Sequence, residues 1–349
     1  MLWKLRKDLG ERAMSRPRLY LDQRYWNDLC DGFLGVNDPA LSRLGLLESA
    51  VSDGCLVCPG GALALSELAE QRVPAKRDAT AEVIDLLCGG VALLAPPDRL
   101  FLEVLRFVQA CPASSPFPVA PADEVWTAPA FVYGHEGVPT LPEDLPGADQ
   151  LNATLMEEYA AFGYRDIVRS GGLSPFAFKM KSAASLNETK AAARERFKTF
   201  RDLYLAEVRG VLDLAVSELG DTINYLAAKA GIDVAEVSPD RPLEAGRALA
   251  QVLHAAFSQQ DLGLQVPSVH IPATLFARVQ WDAPRQYDPN DFADFLHATA
   301  ALPYHSAFAT ERSLTALLRE SGLAAKFGCT ILSDWDAVEE WVVGVACAS

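Results

Sequence analysis

The sequence has no apolar run of the roughly 18 to 20 residues that span a bilayer. Its best candidate, GGVALLAPP, is short and ends in two prolines. The basic stretch MLWKLRKDLGERAMSR lacks the continuous apolar segment of a secretory signal. Cysteine is scarce, and the seven cysteines are odd in number and do not have the spacing of a disulfide framework. We therefore expect a soluble, reduced, cytoplasmic protein that does not contact a membrane.

The sequence also lacks an excess of positive charge. It has 31 Lys and Arg against 46 Asp and Glu, which gives a formal net charge of −15. Such a chain repels nucleic acid on average, so a polyanionic partner has to meet a local basic patch or bound cations. A histone-like or polybasic membrane-binding protein is excluded. Because 50% of the 349 residues are hydrophobic, the chain can bury at least one full core.

Several common signatures of catalysis and nucleotide binding are missing. PGGALALSE lacks the Lys-Ser/Thr pair of a P-loop, and no GxGxxG follows a predicted strand. The sequence contains neither a GxSxG elbow nor an HExxH helix. Cys55 and Cys58 have CxxC spacing, but on a strand positions i and i+3 face opposite sides, so buried thiols are favoured over zinc.

Short apolar runs alternate with helical periodicity at both ends of the chain. This pattern predicts an α/β fold with a central parallel sheet. The strands are expected at RLYL, CLVCP, HSAFAT and CTILSD. The middle of the chain is rich in proline and then in long helical periodicities, which predicts an insertion. The expected division is a first half over 17–110, a proline-rich excursion and helical insertion subdomain over 111–266, and a second half over 267–349.

Acidic residues recur at the ends of predicted strands or on the helices that follow. These acids are Asp22, Glu67, Asp291, Asp294 and Glu311. In an open parallel sheet, functional groups lie beyond the carboxyl ends of the strands, so these side chains are expected to gather. Carboxylates are the ligands that Mg²⁺ prefers. Each acid alone also fits a structural role, as a helix cap, a first-turn charge or part of a solvated helix face.

A family resemblance appears in the arrangement of these acids. RLYLDQRYW, ALSELAE and PNDFADFLHATAALPYHSAFATERSLTALL, followed by CTILSD and a terminal helix, together resemble a PIN-domain or PIN-like nuclease. The resemblance implies a PIN-like three-layer α/β/α fold interrupted by the insertion. It further implies a Mg²⁺- or Mn²⁺-dependent endoribonuclease that hydrolyses RNA phosphodiester bonds by water attack.

The resemblance also implies roles for individual residues. Asp22, Glu67 and Asp294 would be metal-binding and catalytic, and Glu311 would stand where the family usually has Asp after Thr. Thr310 would orient a metal-bound water, and PYHS has Ser306 where related sequences often show another Asp. Independently of the resemblance, Asp291 is a further candidate metal ligand. It lies three residues before Asp294, and two such carboxylates repel each other unless a cation, a partner or water offsets the charge.

A basic helical face provides a candidate RNA-binding track in the insertion. It consists of Lys190, Arg194, Lys198 and Arg201, spaced i, i+4, i+8 and i+11. Acids at 188, 195 and 202 lie on the adjoining face, so an ordinary salt-bridged helix is the alternative. His297 and His305 are candidates for phosphate contact or for packing alone.

The expected function is therefore that of a metal-dependent endoribonuclease. Two alternatives stay open: a catalytically weakened PIN-like binding or structural module, and a metal-dependent phosphoesterase acting on DNA or nucleotides. The expected partners are an RNA substrate and an inhibitor or partner protein, and the insertion is a candidate surface for homo-oligomerisation.

Overall fold

The computed structural model describes residues 2–110, 122–134, 141–142, 145, 147–171, 182–232 and 241–348, without the side chains of 2–3, 122–123, 149, 191–195, 241 and 347–348. The proline-rich excursion therefore lies largely outside the described residues. The chain is mostly helical around a small sheet whose strands are mainly parallel, which confirms the predicted α/β class. In the described part, no helix is long and apolar enough to cross a membrane.

The first part of the chain alternates strands with helices. Its elements are α1 (Leu2–Met14), β1 (Leu19–Leu21), α2 (Gln23–Phe33), α3 (Asp38–Ser52), β2 (Gly60–Gly61), α4 (Ala62–Glu70), α5 (Pro74–Cys88), β3 (Ala92–Leu93) and α6 (Pro96–Ala110). The strand predicted at CLVCP is displaced towards the C-terminus. In that run only Val57 forms a β-bridge, and strand β2 begins after the run ends. Helix α5 starts with a proline, and at its end Gly89 adopts the left-handed conformation that terminates helices.

The middle part consists of one short strand followed by helices. Its elements are β4 (Trp126–Thr127), α7 (Ala148–Ala160), α8 (Tyr164–Ser170), α9 (Ala183–Arg196), α10 (Phe200–Leu214), α11 (Val216–Lys229) and α12 (Arg241–Gln259). The long periodic segment predicted over 185–219 is broken at Ala215, between α10 and α11, and again between α9 and α10. Phe197 is extended, and the Thr199 side chain caps α10 by accepting the N–H of Asp202 at 3.1 Å. The basic track predicted to run from Lys190 to Arg201 on one helix is therefore divided between two helices.

The last part follows the predicted order of strands and helices. Its elements are α13 (Pro267–Trp281), α14 (Asp291–Ala301), β5 (Ala307–Ala309), α15 (Arg312–Glu320), α16 (Leu323–Phe327), β6 (Thr330–Leu332) and α17 (Trp335–Ala348). Strands β5 and β6 lie within the predicted runs HSAFAT and CTILSD.

The strands run in an order that reverses part-way across the sheet. β5 lies between β1 and β6, and all three are parallel, whereas β3 pairs parallel with β2 and antiparallel with β4. A bridge between Arg18 and Val57, with Leu19 N donating to Val57 O at 3.0 Å, joins β1 to the segment before β2. Through this one bridge the two three-stranded sheets, β1-β5-β6 and β2-β3-β4, lie side by side in the order β4-β3-β2-β1-β5-β6. Strands β2 to β4 lie on one side of β1 and strands β5 and β6 on the other, so the strand order reverses between β1 and β5, the point at which open α/β sheets bind ligands.

Helices pack on both faces of this sheet. Alternate residues of a strand point to opposite faces. Leu21 and Ala309 accordingly belong to one buried cluster, whereas Tyr20 and Phe308 belong to another. A third buried cluster joins α6 and α13 to helices α10, α11 and α12. The insertion helices therefore share a core with elements predicted for the two α/β halves.

Candidate active site at the carboxyl edge of β1 and β5

Asp22 lies directly after β1, where the chain turns into α2. Its carboxylate accepts the N–H of Arg24 at 3.1 Å, and its own N–H donates to Ala309 O at 3.2 Å. Asp22 is only 8% exposed and also accepts a hydrogen bond from the Thr310 hydroxyl. Burial raises the pKa of Asp22, and the negative charge of Glu67 adds to this. Asp22 therefore caps α2, as one prediction held, and also lies at the carboxyl end of β1, where the candidate site was predicted.

Thr310 and Glu311 follow β5 at the same edge of the sheet. Thr310 is buried, and its N–H donates to Leu332 O at 2.9 Å, so the end of β5 is fixed to β6. Glu311 is the N-cap residue of α15 and accepts a hydrogen bond from the Ser313 hydroxyl. Its side chain makes no capping hydrogen bond to the helix backbone.

Asp294 reaches the cluster from the first turn of α14. Burial raises its pKa to about 7, and the negative charge of Glu311 is the next largest cause. Asp22 raises the pKa of Asp294 further, whereas the positive charge of His297 lowers it. Carboxylates from three distant segments are thus close enough for the charges of Glu311 and Asp22 to act on Asp294. A group of this kind needs a proton or a cation to offset its charge.

Glu67 is joined to the cluster through His297. Nε2 of His297 lies 2.8 Å from Glu67 Oε1, and Nδ1 lies 2.8 Å from the Tyr20 hydroxyl. Burial of His297 opposes its positive charge, but Glu67, Asp22 and Asp294 outweigh burial, and the pKa of His297 is raised. His297 therefore lies within the acidic cluster and supplies a positive charge there.

Asp291 has a structural role in the turn before α14. Its carboxylate is 5% exposed, lies 3.0 Å from Arg285 Nη2 and accepts the N–H of Asp288 at 2.9 Å. These partners occupy both oxygens and fix the turn before α14. In the structure Asp291 thus stabilises the start of α14, the structural role that the sequence also allowed, and its role as a metal ligand stays a prediction.

Ser306 does not belong to the cluster. Its hydroxyl accepts the N–H of Arg18 at 3.2 Å, and Arg18 precedes β1. Both residues therefore lie at the amino edge of the sheet, opposite Asp22. The absence of a carboxylate at Ser306 leaves the acidic cluster unchanged.

The described side chains of the predicted RNA-binding track do not form one continuous basic face. Lys190 is 5% exposed, and its ammonium donates to the carbonyls of Asp282, at 2.6 Å, and Arg285. Arg201 donates to Ser258 O at 2.7 Å, and Lys198 is exposed before α10. The Arg194 side chain lies outside the described residues. Lys190 is thus a buried structural residue rather than a phosphate contact.

Sequence reasoning missed two participants at this edge of the sheet. Asp334 follows β6 and caps α17 by accepting the N–H of Ala337 at 3.0 Å. The rule that identified Asp22 would have found it. Tyr20 gave no signal, because an aromatic residue on a buried strand reads as core. His305, by contrast, is packed: its Nδ1 contacts Ala301 O, and burial lowers its pKa to about 3.

The donor chemistry of the cluster fits a hard divalent cation. Asp22, Asp294 and Glu311 offer carboxylate oxygens, and burial together with the negative charge of Glu311 raises the pKa of Asp294. Among the described residues, however, no three His, Cys, Asp or Glu side chains are arranged to ligate one ion. Glu67 is held by His297. Cation binding would therefore require these carboxylates to turn towards a common point.

No family model, curated protein or solved structure matches this chain. The acidic cluster and the strand order around it are thus the basis for assigning a function.

Proposed function

We propose that this protein is a PIN-like, metal-dependent endoribonuclease that hydrolyses RNA phosphodiester bonds at the acidic cluster, with Mg²⁺ or Mn²⁺ as cofactor. The observation that supports this most strongly is the gathering of Asp22, Asp294 and Glu311 where the sheet order reverses between β1 and β5. Open α/β sheets bind their ligands at this point. The strand order β3-β2-β1-β5-β6 and the stretches that resemble PIN-like nucleases agree with the proposal.

The residues of the cluster divide the work between binding and orientation. When bound, the cation would supply a water of lowered pKa and neutralise charge on the phosphate. Asp22 and Asp294 would hold it, with Glu311 as a third carboxylate. The Thr310 hydroxyl donates to Asp22 and so fixes the direction of that carboxylate. Because the pKa of Asp294 is about 7, a proton and a cation compete for this side chain near neutral pH.

One observation favours a second candidate, a PIN-like binding or structural module with weakened catalysis. His297 already supplies a positive charge to the cluster and engages Glu67 at 2.8 Å. An acid that a metal site would use is thus held by an internal partner. In this alternative the cluster keeps its shape through His297 and does not need a metal.

Cleavage assays distinguish these candidates. Labelled RNA and DNA of one sequence are incubated with the wild type, Asp22→Asn, Asp294→Asn and Asp213→Asn, each with Mn²⁺, Mg²⁺ or EDTA. Asp213 is an exposed acid on α10 that pairs with Arg209 and serves as the matched control. We expect metal-dependent cleavage of RNA by the wild type and Asp213→Asn only.

Other outcomes overturn the proposal. Equal cleavage by all four proteins indicates a contaminating nuclease. RNA binding without cleavage under every metal condition favours the binding module. Equal cleavage of RNA and DNA that still requires Asp22 and Asp294 favours a phosphoesterase of broader substrate range.

A further inference from the structure

A basic cavity lies at the junction between the insertion helices and the last part of the chain. It has a volume of about 290 Å³ and is bounded by α10, α13 and the turn that joins α15 to α16. Its charged lining residues are Arg201, Arg278 and Lys326, and no Asp or Glu of the described chain lines it. In a protein with 46 acidic and 31 basic residues, this is the kind of local basic patch that a polyanion requires. We call it the Arg278 cavity.

Arg278 is held in place but has unused hydrogen-bond donors. Its guanidinium carbon lies 4.6 Å from the centre of the Phe200 ring, and Phe200 in turn contacts Trp281 edge-on with ring centres 6.1 Å apart. Within the described residues Arg278 forms no ion pair, and its buried Nε has no hydrogen-bond partner. A fixed, planar guanidinium with free N–H groups matches the geometry of a phosphate.

The other two cations of the cavity are partly engaged. Lys326 pairs with Asp261, which does not line the cavity, at 2.6 Å, and Arg201 donates to Ser258 O at 2.7 Å. Asp261 offsets part of the Lys326 charge, so Lys326 and Arg201 are secondary to Arg278 as donors. His270 contacts the Tyr204 hydroxyl at 2.8 Å, and burial lowers its pKa to about 4, so the imidazole is neutral near pH 7.

Arg278 also lines a second cavity, of about 350 Å³. That cavity includes the acids Asp282 and Glu320, and also Arg285, which is already paired with Asp291. A phosphate entering there would meet like charge, whereas the Arg278 cavity offers basic and aromatic walls. The charge distribution therefore favours the side that faces Tyr204 and Lys326.

We infer that the Arg278 cavity binds the phosphate of a nucleotide unit, with Arg278 as the principal donor and Lys326 and Arg201 as supporting charges. A strand of single-stranded RNA and a free nucleotide carry the same recognition chemistry. The aromatic walls from Phe200 and Tyr204 suit a base beside the phosphate.

The position of the cavity relates it to the acidic cluster. Helix α15 runs from Glu311 to the turn at 321–323 and has nine residues, which corresponds to about 13 Å. A strand that contacts Arg278 could therefore extend towards the cluster along this helix. The assignment of the cavity as a substrate contact rests on the proposed function, but phosphate binding itself can be measured separately.

Binding of a fluorescein-labelled single-stranded RNA, followed by anisotropy in EDTA at fixed salt, tests the inference. Without metal no hydrolysis interferes with the binding measurement. We expect Arg278→Gln to weaken binding about tenfold or more, and Arg278→Lys to weaken it less, because charge-assisted hydrogen bonds are lost. Arg209→Gln is the matched control, since Arg209 is an exposed arginine of α10 outside the cavity.

AMP as an unlabelled competitor separates the two ligand sources. Displacement of the labelled RNA by AMP points to a site that takes free nucleotides, whereas displacement only by longer strands points to RNA. Equal affinity of Arg278→Gln and the wild type, equal losses in Arg278→Gln and Arg209→Gln, or no binding at low salt would overturn the inference. Where Arg278→Gln does not fold by circular dichroism, Lys326→Glu replaces it, and unchanged affinity in that variant counts against the site.

Discussion

His297 on α14 and Glu67 on α4 form an ion pair at 2.8 Å, which brings together residues from opposite ends of the chain. The other nitrogen of the same imidazole contacts the Tyr20 hydroxyl of β1. This arrangement holds Glu67 beside Asp22 and Asp294 and supplies the cluster with one internal positive charge. It relates the stability of the fold to the charge of the candidate active site.

Removing His297 should destabilise the protein. His297→Ala leaves the Glu67 carboxylate and the Tyr20 hydroxyl without their partner, and His297 is 7% exposed. Because Glu67 keeps partial access to water, we expect a loss of about 1–3 kcal/mol in the free energy of unfolding, below the value for a fully buried pair. Urea denaturation at pH 7 measures it. Glu67→Gln, which can still accept a hydrogen bond from His297, should lose less, and equal stability of His297→Ala and the wild type contradicts the assigned pairing.

Asp294 should make stability depend on pH with a defined sign. Its pKa is raised by burial to about 7 in the folded protein from an ordinary value of 3.8, so between these values the folded chain holds a proton that the unfolded chain has released. The free energy of unfolding therefore falls as the pH rises from about 4 to 7 through this group. The groups acting on it are Glu311, His297, Asp22 and Asp291.

Asp294→Asn removes this penalty. At pH 8 we expect the variant to be more stable than the wild type, by about 1–3 kcal/mol after allowance for partial solvent screening. At pH 4 the two proteins should be nearly equal. Denaturation curves at both pH values measure the difference, and an Asp294→Asn variant that is less stable than the wild type at pH 8 would show that Asp294 is not repelled by its neighbours.

Millimolar Mn²⁺ should raise the unfolding temperature of the wild type, because only the folded chain gathers the carboxylates. The increase should be larger at pH 8 than at pH 6, since the proton on Asp294 competes with the cation. Asp294→Asn should abolish the response. Asp291→Asn, one turn away on the same helix, should lower the basal unfolding temperature through loss of the Arg285 pair but keep the Mn²⁺ response. An equal Mn²⁺-induced change in unfolding temperature in the two variants would contradict the assignment of Asp294, and not Asp291, to the cation.

Lys190 should act on stability rather than on RNA binding. Lys190→Gln removes hydrogen bonds to the Asp282 and Arg285 carbonyls in a buried position, and we expect a loss of about 1–3 kcal/mol. Lys198→Gln, an exposed change nearby, should leave the unfolding free energy within about 0.5 kcal/mol of the wild type. A Lys190→Gln variant with normal stability but weaker RNA affinity would restore the predicted track.

The last part of the chain was predictable because local signals agree there. Short buried runs such as AFA and TIL are bounded by turn residues, and each is followed by a periodic helix. The same signals placed Asp22 and Glu311 at strand ends. Strand β2 was displaced from its predicted run because two glycines form it and carry no apolar pattern.

The partners of individual side chains could not be read from the sequence. Asp291 and Asp294 both lie in the first turn of α14, where acids commonly stabilise a helix start. Only the position of Arg285, which pairs with Asp291, separates their roles. Lys190 looked like an exposed base on a helix, but carbonyls from the turn after α13 bury it. Likewise, His297 became part of the cluster through packing of α14 against β1, a contact between segments far apart in the chain.

The most direct test of the acidic cluster is the anomalous difference map of a crystal soaked in Mn²⁺. The proposal predicts a peak at the carboxyl edge of β1 and β5, at about 2.0–2.2 Å from carboxylate oxygens of both Asp22 and Asp294. A well-ordered crystal with no peak there, or with Mn²⁺ bound only at other acids, would contradict the metal-dependent function.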